Sequence, residues 1–114
     1  MIVAAMQMTD IPFGTTDWAD VETTEHAGTT GAALWRTRQF GALRVRLLEY
    51  TPGYRADHWC TKGHVLFCLE GELRTELDDG RVFELRPGMS YQVADGAEPH
   101  RSSTVTGARL FVVD

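Results

Sequence analysis

The chain has 114 residues, the length of one domain, since domains commonly run about 100–150 residues. Apolar residues make up 43% and charged residues 24%, as in ordinary globular proteins, and the formal charge is −5. That balance excludes the basic surplus of a nucleic-acid binder, and no apolar run approaches the roughly 18–20 residues of a membrane span.

Residues 1–6 are apolar but lack a cationic leader and give way to Thr9 and Asp10, so a secretory signal is not expected. Residues 10–34 are rich in Thr, Asp and Gly, with an isolated Trp18 and weak periodicity. They read as an extended arm or loop, with Trp18 and Trp35 as its anchors. Residues 1–40 are therefore taken as an N-terminal arm with edge strands, part of the same domain as a barrel spanning 41–114.

From residue 40 onward, Gly and Pro punctuate the chain at intervals of about 8–12 residues, the spacing of an all-β sandwich or small barrel. Leu43, Val45 and Leu47 alternate with Arg44 and Arg46, which predicts a strand with a solvated arginine face, although the pair could reach an anionic ligand. Residues 64–69 are apolar on both faces, as a central strand between two layers would be. Leu73, Thr75 and Leu77 form one face of the next strand, and Asp79-Gly80 signals a hairpin. Met89, Tyr91 and Val93 alternate with Ser90 and Gln92, so either Tyr91 or Gln92 faces inward. Residues 110–113 form a last apolar strand. No amphipathic helix is expected after residue 40.

Three of the four histidines and one of the two cysteines fall in two places, Asp57-His58-Trp59-Cys60-Thr61-Lys62-Gly63-His64 and Glu98-Pro99-His100. On a strand His58 and Cys60 share one side, with Asp57 and Trp59 on the other. Gly63 permits a bend that returns His64 to the inner face, and an antiparallel barrel can bring His100 across. Neutral imidazoles and a thiolate on one interior face suit a transition metal. Cys60 can equally pack as a small apolar residue, as Cys68 is expected to do. His26 reads as solvated or locally hydrogen-bonded. Two thiols make no disulfide framework, so both are taken as reduced and the compartment as cytoplasmic.

The spacing resembles that of the small cupins, whose first motif is H-x-H-x3-E-x6-G and whose second contains G-x5-P-x-G-x2-H. Here the first stands as His58-x-Cys60-x3-His64-x6-Gly71, and the second as Gly88-x5-Ala94-x-Gly96-x3-His100. Ala replaces Pro, and one extra residue precedes the last His. The order Asp57-His58-Trp59-Cys60 makes the chain most similar to the small single-domain cupins of the DHCW-motif type.

This resemblance implies a double-stranded β-helix, or jelly roll, with one divalent ion at the barrel mouth. The expected ligands are His58, Cys60, His64 and His100. That set best suits Zn²⁺, with Fe, Ni or Cu as alternatives. Four protein ligands would close a tetrahedral site, whereas three imidazoles without Cys60 would leave it open. The resemblance carries no activity, so a metal-dependent enzyme and a non-catalytic binding or sensing protein both stand. A small-molecule ligand and homodimerisation are expected; nucleic acid and membrane are not.

Overall fold

A computed structural model describes residues 6–114; the opening segment read above as no leader lies largely outside them. Among the described residues, a 3-10 turn, Trp18–Asp20, precedes nine strands. These are β1 (Thr23–Ala27), β2 (Ala32–Phe40), β3 (Leu43–Tyr50), β4 (His64–Gly71), β5 (Leu73–Leu77), β6 (Val82–Leu85), β7 (Ser90–Val93), β8 (His100–Ser103) and β9 (Ala108–Val113). They form two antiparallel sheets, ordered β1-β2-β3-β9-β4-β7 and β6-β5-β8, which make the expected all-β jelly roll. Among the described residues, no helix is long and apolar enough to cross a membrane.

Turn chemistry drives the hairpins. At Asp78–Gly80 the Gly80 backbone sits at φ +96°, which L side chains rarely adopt. The Asp79 carboxylate accepts from Arg81 N at 3.0 Å, and Leu77 N donates to Arg81 O at 2.8 Å. This fixes the register that pairs Glu76 with Val82.

Alternation then fills the space between the sheets. Leu73 and Thr75 of β5 are buried, and Tyr91 and Val93 of β7 are more covered than Ser90 and Gln92. With them, Leu48, Leu66, Cys68, Leu110 and Val112 compose the core, each no more than 3% exposed. Cys68 is thus a packing residue, as expected.

Three elements depart from the sequence reading. The stretch 10–34 is not all arm: it contains β1 and the start of β2, and β2 pairs with β3 from Ala33 to Phe40. Every residue of β1 is exposed, so no apolar alternation marks it as a strand. On β3 the inward face is Arg46, Leu48 and Tyr50, while Val45 and Leu47 lie on the opposite face. On β4 only one face is covered. Leu66 and Cys68 are buried, but Val65, Phe67 and Leu69 stand 40–55% exposed outside the six-stranded sheet.

Candidate functional site

The inner faces of β2, β3, β4, β7 and β8, with residues 54–60, enclose a cavity of about 220 Å³. His58, Cys60, His64 and His100 all line it. Backbone pairing accounts for two of them. Cys60 N donates to His100 O at 2.7 Å and His100 N to Cys60 O at 3.0 Å, an isolated antiparallel bridge whose side chains leave on the same side. Gly63 delivers His64. Its N–H donates to Asp95 Oδ1 at 2.7 Å, and a Cβ there would strike the Asp95 amide nitrogen, so only glycine allows the close pass that leads into β4.

The hydrogen bonds distinguish the three rings. His100 Nδ1 donates to the Glu98 carbonyl at 2.9 Å, leaving a buried Nε2 without a partner. His58 Nδ1 donates to Asp57 Oδ1 at 2.7 Å. Asp57 was expected to point away from His58, as on a regular strand. Residues 57 and 58 form a bend instead, and the carboxylate reaches the neighbouring ring. His58 stands at the cavity rim with its side chain 73% exposed.

His64 is held differently. Its Nε2 is hydrogen-bonded to the Tyr91 hydroxyl at 2.8 Å, and its buried Nδ1 faces Asp114 Oδ2 at 3.8 Å. Burial, reinforced by His100 and Arg46, pushes its pKa down to about 4, so the ring is neutral near pH 7. Next to it the His100 ring lowers the Cys60 thiol below its ordinary value, and the thiol in turn raises His100. Ring centroids of His64 and His100 are 4.9 Å apart. Among the described residues, no three His, Cys, Asp or Glu side chains stand together closely enough to hold an ion as placed.

The arginine face of β3 corrects the expectation of a solvated strand. Arg46 is 6% exposed, with its guanidinium carbon 4.5 Å from the Trp35 ring centre. Arg46 Nη2 donates to Asp114 Oδ2 at 3.1 Å, but its buried Nε has no partner. Arg44 clamps the same carboxylate through Nε and Nη2, each at 2.8 Å. Burial opposes ionisation of Asp114, yet the two arginines hold its pKa low. Trp35 lines the cavity rather than serving only as an arm anchor, and it also stacks on His26 at 3.9 Å. His26 is exposed and hydrogen-bonded to Thr24, as expected.

Asp114 had no distinguishing signal in the sequence, and nothing there placed Trp35 at the cavity. Trp18 packs edge-on against Phe111, and Trp59 lies under the Arg101 guanidinium. A larger open hollow of about 660 Å³ includes the exposed side chains of Arg74 and Glu84 beside Arg55 and Glu76, a mixed-charge surface.

The two-sheet antiparallel architecture defines a cupin fold. The chain is similar to the polyketide cyclase RemF from Streptomyces resistomycificus, at 24% identity over 90% of this chain and 78% of that one, with TM-score 0.74. It is similar to a sugar phosphate isomerase of the cupin superfamily from Silicibacter pomeroyi, at 18% identity over 88% and 74%, with TM-score 0.69. A third similar structure is Fe(II)-HppE, at 14% identity over 92% of this chain and 62% of that one, with TM-score 0.75. No protein-family model matches the chain, and no curated protein matches it. These likenesses establish the fold; the chemistry must be argued from the residues.

Proposed function

We propose that this cupin binds a divalent transition ion beside its barrel cavity and takes a small polar molecule into that cavity. One observation carries the reading. Both His58 and His100 have Nδ1 committed to an oxygen acceptor, which leaves Nε2 as a lone-pair donor on either side of the Cys60 sulfur in sequence. Outer partners of this kind orient metal-ligating histidines and raise their basicity. His58, Cys60 and His100 would hold the ion, and His64 joins them by giving up Tyr91. Two or three imidazoles with a thiolate match Zn²⁺ best, with Fe, Ni or Cu as alternatives. Such an ion supplies Lewis acidity or an activated water.

The test is total metal analysis of untagged protein, followed by Co²⁺ loading. One equivalent per chain and a sulfur-to-cobalt band that disappears in Cys60→Ala are the expected results. Protein that takes up no stoichiometric ion overturns the metal assignment. It then favours the second reading, a ligand-binding cupin without an ion, which the outward position of His58 supports.

A second copy of the chain is the proposed partner. Val65, Phe67 and Leu69 lie on the outer face of β4, beside Phe111 and Val113 of β9 and Val45 and Leu47 of β3. Glu70 and Arg109 pair with each other at the rim, so the patch carries little net charge to oppose a second copy. Both cysteines are free thiols, which fits a reducing, cytoplasmic compartment.

A further inference from the structure

Three buried polar atoms lining the cavity lack partners: His64 Nδ1, His100 Nε2 and Arg46 Nε. A metal ion can satisfy an imidazole nitrogen, but the Arg46 Nε–H can only donate. Whatever completes it must be a hydrogen-bond acceptor. The charges point the same way. Arg46 is buried and reaches only Asp114 Oδ2, an oxygen it shares with Arg44 Nη2, so its guanidinium is incompletely paired. Such a charge is costly unless paired, and an oxyanion both accepts from a guanidinium and neutralises it. Arg101 also lines the cavity, but Glu76 pairs with it at 2.8 Å, which leaves Arg46 as the incompletely satisfied guanidinium.

Size and lining narrow the ligand further. At about 220 Å³ the cavity is smaller than the roughly 300–1,000 Å³ of drug-sized sites. It exceeds the cavity of about 150 Å³ that suffices for benzene in an apolar core. Trp35, Tyr50, Leu66, Tyr91 and Val112 give the remaining wall an aromatic and aliphatic character. A bare inorganic anion would leave this wall uncovered.

We propose that the cavity binds a small carboxylate with a compact apolar or aromatic body, its oxygens accepting from Arg46 while the body lies against Tyr50, Leu66 and Tyr91. This rests on the reading of the cavity as a ligand site but is independent of the metal. Arg46 is then the residue that selects charge, and the Trp35 face holds its guanidinium plane.

The experiment is calorimetric titration of the full chain with benzoate, its neutral isostere benzamide, and inorganic phosphate, as purified and again after chelator treatment. Benzoate is expected to bind at least tenfold more tightly than either of the others in both preparations. Arg46→Gln is expected to remove the preference over benzamide. Equal binding of benzoate and benzamide overturns the proposal, as does binding of phosphate as tight as benzoate, which would mark a plain anion site. Should Arg46→Gln fail to fold, the Arg46 Nε–H resonance of the wild type provides the second measurement. It is expected to shift on addition of benzoate, and an unmoved resonance counts against the proposal. Benzoate binding to a protein that takes up no ion would remove the metal assignment alone. Metal uptake without benzoate binding would remove the carboxylate alone.

Discussion

Cys60 and His100 exchange both of their backbone hydrogen bonds, at 2.7 and 3.0 Å, and so join two distant parts of the chain at one point of the cavity wall. Cys60 lies outside the regular strands and His100 opens β8, yet the bridge sets the thiol beside the imidazole. His100 lowers the Cys60 thiol, whereas burial raises that of Cys68.

The two cysteines should therefore react differently. In metal-free protein at neutral pH, iodoacetamide is expected to alkylate Cys60 and leave Cys68 unmodified, because the thiolate is the reactive form. His100→Ala raises the Cys60 pKa and should slow its alkylation severalfold. Mass spectrometry of timed digests provides the measurement, and equal rates in the two proteins would break the link between the residues.

Asp114→Asn should destabilise strongly. The Asp114 side chain is 1% exposed and holds Arg44 and Arg46 together, so its neutralisation leaves Arg46 buried with no counter-charge. Breaking one partner of such a pair costs about 3–5 kcal/mol. Urea denaturation reads the loss as a lower midpoint. Lys62→Ala, which removes only the exposed ion pair with Asp95, should change stability little, by about 1 kcal/mol or less.

Stability of the metal-free chain should fall as pH drops from about 6.5 to 4. His64 in the folded state is pushed down to about 4, while the unfolded residue titrates near 6.5. Across that window the unfolded chain binds the extra proton, so unfolding becomes easier with acid. Asp114, whose pKa is depressed when folded, retains its contribution above the unfolded carboxylate value and loses it only at lower pH. Thermal melts at several pH values should slope less steeply between pH 4 and 6.5 in His64→Gln.

Gly71→Ala should be among the most damaging of small substitutions. Gly71 has φ +75°, and a Cβ there would collide with the Gly107 carbonyl oxygen. Strain plus that clash should lower stability by more than the roughly 1 kcal/mol of an ordinary glycine replacement. Gly80→Ala, with φ +96° but open space around it, should cost less. Chemical denaturation of both variants checks the order.

If the outer face of β4 packs on a second copy, Phe67→Asp should yield monomer in sedimentation at micromolar concentration while Cys68 and Leu66 remain in place. The wild type should sediment as a dimer. Monomeric wild-type protein would remove the proposed partner.

The chain order of the strands and the hairpins was legible because glycine and aspartate mark turns regardless of what surrounds them. His58, Cys60, His64 and His100 all line one cavity, as their spacing leads one to expect, but among the described residues no three such donors stand close enough to hold an ion as placed. What could not be read was which face of β3 turns inward. Period two defines two faces, and the ordinary rule puts Val45 and Leu47 inside. Arg44 and Arg46 turn in because Asp114, at the far end of the sequence, meets them through the β3–β9 pairing. A strand alone carries no record of that partner. β1 was hidden for the opposite reason, having no buried residue at all.

The inward arginines place β3 in competition with its own mirror arrangement. Slipping the strand by one residue would send Val45 and Leu47 into the interior and release both guanidiniums to water, while expelling Leu48 and Tyr50 and burying Glu49. What opposes the slip is a clasp made at one end of the strand, where Arg44 and Asp114 also exchange backbone hydrogen bonds at 2.6 and 2.9 Å. Local preference and global fold disagree here, and such conflicts in natural proteins concentrate where a molecule does its work. Loosening the clasp would thus do more than weaken the barrel: it would free β3 to present its other face, without the two arginines, to the cavity.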